Sequence, residues 1–200
     1  MRVGVLGGTF DPVHYGHLLL AECCREELEL DQILFIPTGN PPHKEPAEIS
    51  PGIHRCEMLE LATSGMPEFV VSRMEQDRTE TTYTVDTLQQ LTDDDPDREL
   101  FFIMGADSLL DLKNWKDPEG IAKLATIVAV NRGRAPLPDR SALVKELSES
   151  IVDRIQYVQI PAIDLAASHI RERHRTGQSI RFRVPRAVEM YLTENQLYES

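Results

Sequence analysis

The sequence predicts an α/β fold, a doubly wound and mostly parallel sheet with a small C-terminal helical lobe. Two observations carry this expectation. Short apolar runs rich in β-branched and aromatic residues recur along the 200 residues. Segments with helical spacing of apolar positions separate them, which is the pattern of βα units around a parallel sheet. Such sheets bind ligands beyond the carboxyl ends of their strands, so the residues that follow each strand are the first place to look for chemistry.

The elements follow in order. RVGVL at 2–6 opens as a buried strand ending in Gly7-Gly8. From His17 to about Leu30, Leu20, Cys24 and Leu28 recur at spacing four with glutamates on the other side, an amphipathic helix. QILFIP at 32–37 is the second strand, and TGNPPHKEP after it is too rich in proline for either regular element. Ser50 as cap and Pro51 as first helical residue begin a helix through GIHRCEMLELA. FVVS at 69–72 is the third strand. Tyr83-Thr84 precedes the helix VDTLQQL, whose first turn holds Asp86, as the helix dipole favours. LFFIM at 100–104 runs into Gly105-Ala106-Asp107, and Leu109, Leu110 and Leu112 suggest a short helix before Trp115. TIVAV at 126–130, a helix over 141–150 and IQYVQI at 155–160 follow. A helix from Ser168 to about Thr176 is stopped by Gly177, and Val184-Pro185 begins a last one with Val188, Tyr191 and Leu192 on one face. With no repeat or linker, the expectation is a single domain over 1–200, of which 168–200 is the C-terminal helical segment.

Composition excludes several function classes. With 41% hydrophobic and 27% charged residues, 13 Pro and 11 Gly, the chain is an ordinary globular one. Its formal charge of −12 disfavours nucleic acid or an anionic membrane as partner, because a negative field repels polyanions at long range. A small anionic substrate in a local basic pocket is still allowed. The chain has no long apolar stretch, and its N-terminus lacks signal-peptide features, so the expected location is cytoplasmic. Cys23, Cys24 and Cys56 make an odd set with no CxxC spacing, which reads as buried small hydrophobes on helices rather than disulfides or a zinc ribbon.

The densest chemistry follows the first strand, in GGTFDPVHYGH at 7–17. Gly7 and Gly8 let a ligand approach the backbone, and the amides of the turn and the following helix are anion donors. The stretch is neither GxGxxG nor GxxxxGK, which disfavours a dehydrogenase and a Walker-type ATPase. His14 and His17 lie at i, i+3, so in a first helical turn both imidazoles share one face, with Gly16 leaving room. By spacing alone such a pair could be a capping accident, a metal site or catalytic; no third ligand at metal spacing accompanies it.

Residue for residue, GGTFDPVHYGH resembles the signature of the HxGH nucleotidyltransferases. The resemblance extends to PPHK at 41–44, HRCEMLELA at 54–62, TYTVDTL at 82–88, FFIMGADSL at 101–109, Trp115, the stretch 170–192 and the terminal NQLYES. Together these look like the bacterial nicotinate-nucleotide adenylyltransferase family. The resemblance implies a Rossmann-like nucleotidyltransferase fold. It also implies transfer of AMP from ATP to nicotinate mononucleotide, giving deamido-NAD and pyrophosphate, with magnesium accompanying ATP.

Site roles carry over from the resemblance position by position. His14 and His17 would be the catalytic donors to the triphosphate. Gly7, Gly8, Thr9 and Phe10 would line the phosphate and adenosine path, Gly105 and Asp107 the ribose and adenine, with a helix cap as the other reading of Asp107. Lys44 would neutralise substrate phosphate, and His43 is a weaker candidate. Tyr83, Thr84 and Trp115 resemble the family's nicotinate pocket, where helix amides favour a carboxylate over an amide; a lone tryptophan can equally be core. The resemblance leaves open which groups contact the metal, whether the loop at 38–49 closes, and the oligomeric state.

One departure stands near the C-terminus. Where the family usually shows a Ser-Ser-Thr run before Ile-Arg, this chain reads Ala166-Ala167-Ser168-His169-Ile170-Arg171. Ser168 and Arg171 keep their places, so the expectation is phosphate binding that is weakened or rearranged rather than lost. The net charge also hides a split: residues 169–186 hold six arginines against one acid, Glu172, beginning at Arg171. Two other readings remain, a transferase for another phosphorylated acceptor such as nicotinamide mononucleotide or phosphopantetheine, and a nucleotide sensor that has lost catalysis.

Overall fold

A computed structural model describes residues 1–39, 49–132 and 139–199; Lys44, His43 and the rest of PPHK lie outside the described residues. Six strands form one sheet in the order β3-β2-β1-β4-β5-β6. They are β1 (Arg2–Gly8), β2 (Gln32–Pro37), β3 (Phe69–Val71), β4 (Glu99–Gly105), β5 (Ala125–Arg132) and β6 (Ile155–Ile160). Every pairing is parallel, with β1 between β2 and β4. The strand order therefore reverses between β1 and β4. At such a switch point the crossovers leave in opposite directions and a crevice opens at the strands' carboxyl ends. Gly7-Gly8 and Gly105 both stand there.

Alternation along β1 serves two cores. Val3 and Val5 face one, with Leu88, Leu109, Ile121 and Ile127. Leu6 faces the other, with Leu20, Cys24, Met58 and Leu59. Helices α1 (Tyr15–Glu27) and α2 (Gly52–Ala62) supply that second core, and α3 (Thr84–Asp94) and α4 (Pro118–Leu124) the first. The C-terminal helices α7 (Ala167–Arg175) and α8 (Arg186–Glu194) bury Ile170, Val188 and Leu192 in the same core as α1 and α2. The last turns of α7 give way at Gly177, whose φ of +70° suits a residue without a side chain.

Several expected boundaries shift for identifiable reasons. Helix α1 starts at Tyr15, with His14 in an extended cap conformation, and stops at Glu27 rather than near Leu30. At the start of α2, Pro51 takes the cap position and the helix begins at Gly52. Ser50 instead donates its N–H to Asp11 Oδ2 at 3.1 Å. The helix expected over 141–150 is two, α5 (Arg140–Glu146) and α6 (Glu149–Val152). Between them Ser148 leaves the helix and its hydroxyl accepts from Ile151 N–H at 3.3 Å, a new cap. The short helix before Trp115 is a 3-10 helix over Ala106–Asn114. Helix α4 has no counterpart in the sequence reading, although its signals were present: Asp117 caps Gly120 N–H at 2.9 Å and Pro118 opens the helix. The three cysteines are free, on helices, with Cys24 and Cys56 buried. No helix among the described residues is long and apolar enough to cross a membrane.

Candidate active site

The chain leaves β1 through Thr9 and Phe10. Phe10 holds a φ of +50°, a conformation that costs a non-glycine residue energy and persists where the surroundings enforce it. Here they do: its ring is buried, lies over Gly8, where a Cβ would stand 2.9 Å from the ring, and meets His17 edge-on at 5.0 Å and Phe35 at 5.8 Å.

His14 and His17 share one face, as their spacing predicts. Their rings stack with centroids 3.7 Å apart and planes 18° apart. Gly16 makes this possible, because a Cβ there would sit 3.0 Å from two atoms of the His14 ring. The backbone N–H of His14 donates to His17 Nδ1 at 3.3 Å. With Nδ1 accepting, the neutral ring carries its proton on Nε2 and is a hydrogen-bond donor there. The capping reading of the pair is thus part of the structure, and it fixes the tautomer. Among the described residues no group of three or more His, Cys, Asp or Glu side chains could hold a metal ion.

Both histidines line a cavity of about 450 Å³. Thr9, Phe10 and Asp11 form one wall; Ala166, Ala167, Ser168 and Arg171 form the other. The second wall is the start of α7. Ala166 occupies its cap position with no side-chain cap bond, and the first-turn N–H groups of a helix have no intrahelical acceptor. The two alanines therefore take away hydroxyls and leave the amide donors in place. Arg171 is half-buried, and its Nη1 donates to the Asp11 carbonyl at 2.7 Å. It ties α7 to the loop that carries His14.

The remaining candidates gather elsewhere. Gly105 ends β4 at the switch point, and the Asp107 carboxylate folds back over it, 2.3 Å from where a Gly105 Cβ would stand. Asp107 is exposed and provides no side-chain cap to the 3-10 helix. Tyr83 takes the cap position of α3 and Thr84 its first turn. Trp115 is half-buried and meets Phe102 edge-on at 5.9 Å. Lys116 joins the two parts of this region, with Nζ 4.6 Å from the Tyr83 ring centre and 2.8 Å from Asp86. None of Gly105, Asp107, Tyr83, Thr84 and Trp115 lines the histidine cavity.

Comparison with known proteins decides the family. The cytidylyltransferase-like family pattern matches residues 5–173. A probable nicotinate-nucleotide adenylyltransferase of Thermomicrobium roseum is 42% identical over 199 residues, covering 100% of this chain and 92% of that protein. One of Lachnoclostridium phytofermentans is 41% identical, covering 98% of each. The chain belongs to the nicotinate-nucleotide adenylyltransferases, within the cytidylyltransferase-like family. Its fold matches that of the Plasmodium falciparum nicotinic acid mononucleotide adenylyltransferase complexed with NaAD, with a TM-score of 0.81 over 99% of this chain and 97% of that one, at 17% identity.

Within this family fold, residues that no motif role singles out brace the loop. Arg55 is 3% exposed. It donates to Ser50 O at 2.9 Å, Thr9 O at 3.0 Å and Gln76 Oε1 at 3.4 Å. Burial pulls its pKa down from the usual arginine value, and the nearby Asp11 charge opposes this. Asp11 is itself buried and accepts from the Tyr198 hydroxyl. Glu75, also buried, accepts from Gly39 N–H at 3.2 Å and Thr87 Oγ1 at 2.7 Å, while Gln76 Nε2 donates to Pro37 O at 2.7 Å. The matched stretches contained Asp11, Arg55 and Tyr198, but spacing gives no sign that a helical arginine turns inward to hold a loop 46 residues away.

Proposed function

We propose that this protein transfers the adenylyl group of ATP to nicotinate mononucleotide, releasing pyrophosphate and forming deamido-NAD. One observation carries the reading: the stacked His14–His17 pair and the start of α7, from segments about 150 residues apart, line one cavity beside the sheet's switch point. A phosphate oxygen of the acceptor attacks the α-phosphorus. The new P–O bond forms as the bond to the bridging oxygen breaks, and pyrophosphate leaves with that electron pair. Negative charge grows on the transferred group and on the leaving group, so catalysis consists of holding the groups in line and supplying donors where charge develops.

His17, with its proton on Nε2, and His14 supply such donors on the β1 side. The amides of Ala167 and Ser168, the Ser168 hydroxyl and Arg171 supply them opposite, where the helix dipole also favours an anion. Gly7, Gly8, Thr9 and Phe10 form the nucleotide path, with Gly105 and Asp107 at its adenosine end. Lys44 serves the substrate phosphates; Tyr83, Thr84 and Trp115 receive the nicotinate ring. Asp11, the acid of the cavity, has both carboxylate oxygens engaged by Tyr198 and Ser50, so the described residues do not build a cage for magnesium. Magnesium would enter with ATP rather than be held by a protein cage, and would supply screening of the phosphate charge.

We place the whole of 1–200 in one nucleotidyltransferase domain acting in the cytoplasm on small nucleotides, with neither nucleic acid nor membrane as partner. Pyrophosphate release with ATP, magnesium and either nicotinate or nicotinamide mononucleotide tests the activity and its specificity together. Faster release with the acid is the expected result. No release with the acid acceptor defeats the assignment.

A further inference from the structure

The bonds around Asp11 lead to a residue far along the chain. Tyr198 lies beyond α8 and is half-buried, packed against the core that α1, α2 and α7 share. Its φ is +67°, and that of Gln196 is +52°. Two non-glycine residues in the left-handed region resist their backbone's preference and persist where side-chain contacts hold them. The contacts here are specific. The Tyr198 ring meets the His174 ring edge-on at 6.5 Å and the Arg171 guanidinium at 6.0 Å from its centre. Its hydroxyl donates to Asp11 Oδ1.

Asp11 is therefore held at three points: Oδ1 by Tyr198, Oδ2 by Ser50 N–H at 3.1 Å, and its carbonyl by Arg171 at 2.7 Å. It stands three residues before His14, on the same loop as Phe10. Burial and the negative charge of Asp11 push the Tyr198 phenol well above its ordinary pKa. The hydroxyl stays protonated, and a donor, across the neutral range.

We propose that Tyr198 is a positioning residue for the adenylyl transfer: its hydroxyl fixes the Asp11 carboxylate, and with it the Thr9–His14 loop and the Arg171 guanidinium, in the arrangement that meets the nucleotide phosphates. The inference rests on the activity proposed above. A phenylalanine would keep the ring contacts with His174 and Arg171 but leave one oxygen of a buried carboxylate without its donor. Asp11 then relaxes toward other donors and carries the loop with it. Misplacing catalytic groups by about 1 Å can cost on the order of 100-fold in rate; a loop still held at two of three points should lose less.

In the full-length protein, Tyr198→Phe should lower kcat roughly tenfold. The KM for ATP should stay near its wild-type value, and the thermal midpoint should fall by only a few degrees, the cost of one donor lost to a buried carboxylate. Asp11→Asn, which keeps the size of the side chain, should lower kcat as well, and the double variant should lose no more than the worse single one, because the two groups act as a unit. A Tyr198→Phe variant with a lowered midpoint and unchanged kcat, or losses that add in the double variant, would overturn the proposal and leave Tyr198 a packing residue. NMR reads the same positioning without any acceptor. The imidazole resonances of His14 and His17 should move in Tyr198→Phe while the α3 amides do not, and unmoved imidazoles would overturn it too. Wild-type protein that makes no deamido-NAD counts against the activity instead, and the NMR arm still decides the role of Tyr198.

Discussion

The two ends of the proposed site are built differently. Around His14 and His17, the loop is held by buried and half-buried groups that bond one another: Arg55 to two backbone carbonyls, Tyr198 to Asp11, Arg171 to the Asp11 carbonyl. Around Tyr83 and Trp115, whose rings pack at the edge of the core, the polar and ring contacts are an exposed ion pair, Lys116 with Asp86, a cation over one ring, and an edge-on ring pair. Buried, mutually satisfied networks fix geometry because breaking one bond strands a partner away from water. Exposed pairs contribute little and rearrange readily. The contrast matches the two tasks: phosphoryl transfer needs donors set in advance, whereas recognising an acceptor ring tolerates adjustment.

Removing a donor at the rigid end should have the largest effect. His17→Ala should lower turnover by about 10²–10³, the usual loss for one preorganised donor at a developing charge, with the fold intact by circular dichroism. Wild-type turnover in this variant would dissolve the distinction between the two ends. Next comes Arg55→Met, which keeps length and apolar bulk but strips donors from Ser50 O, Thr9 O and Gln76. Stranding buried acceptors in this way should destabilise the fold on the order of 3 kcal/mol, read by urea unfolding. A midpoint equal to that of the wild type would show that the network is not what holds the loop.

The sequence reveals these two regions unequally. The sheet was legible because β-branched runs at strand length have few other uses, and the strand bounds 32–37 and 155–160 agree with the structure. That His14 and His17 share one face was legible from their i, i+3 spacing; the stacking of their rings was not, because it depends on His14 standing in an extended cap position just before α1. Helix α4 escaped because its apolar face is short, and the 141–150 helix divided because Ser148 caps better than it continues. The bracing by Arg55 and Tyr198 could not be read from the order of residues. It depends on long-range packing that brings α2 and the segment after α8 to one loop, and a buried arginine looks, in sequence, like a solvated one. At Ala166 and Ala167 both halves were legible, the lost hydroxyls and the amides left in place; the structure moves only the helix start, from Ser168 to Ala167 with Ala166 as cap.

At the adjustable end, Trp115→Leu should raise the KM for nicotinate mononucleotide about tenfold, the loss of one ring-on-ring contact worth about 1–3 kcal/mol, with kcat much less affected. The same change removes the contact with Phe102, so thermal unfolding must be followed alongside. A lowered midpoint with an unchanged KM would assign Trp115 to the core, the other reading its sequence allowed.

The smallest effect is expected at Lys116. Both partners of its ion pair with Asp86 are nearly half-exposed, at 48% and 45% of their side-chain surface, so Lys116→Ala should change stability by no more than about 0.5 kcal/mol. Its position over the Tyr83 ring still places a positive charge at the start of α3, beside the amides proposed to receive the nicotinate carboxylate. Neutralising that charge should narrow the preference for the acid over the amide acceptor, because only the acid carries the charge that Lys116 attracts. The effect should weaken as salt is raised, since an exposed charge is screened within about 8 Å at physiological ionic strength. An acid-to-amide ratio of kcat/KM that is unchanged in Lys116→Ala at low salt would leave the α3 amides as the source of selectivity, and would make this end as fixed by backbone as the histidine end is by side chains.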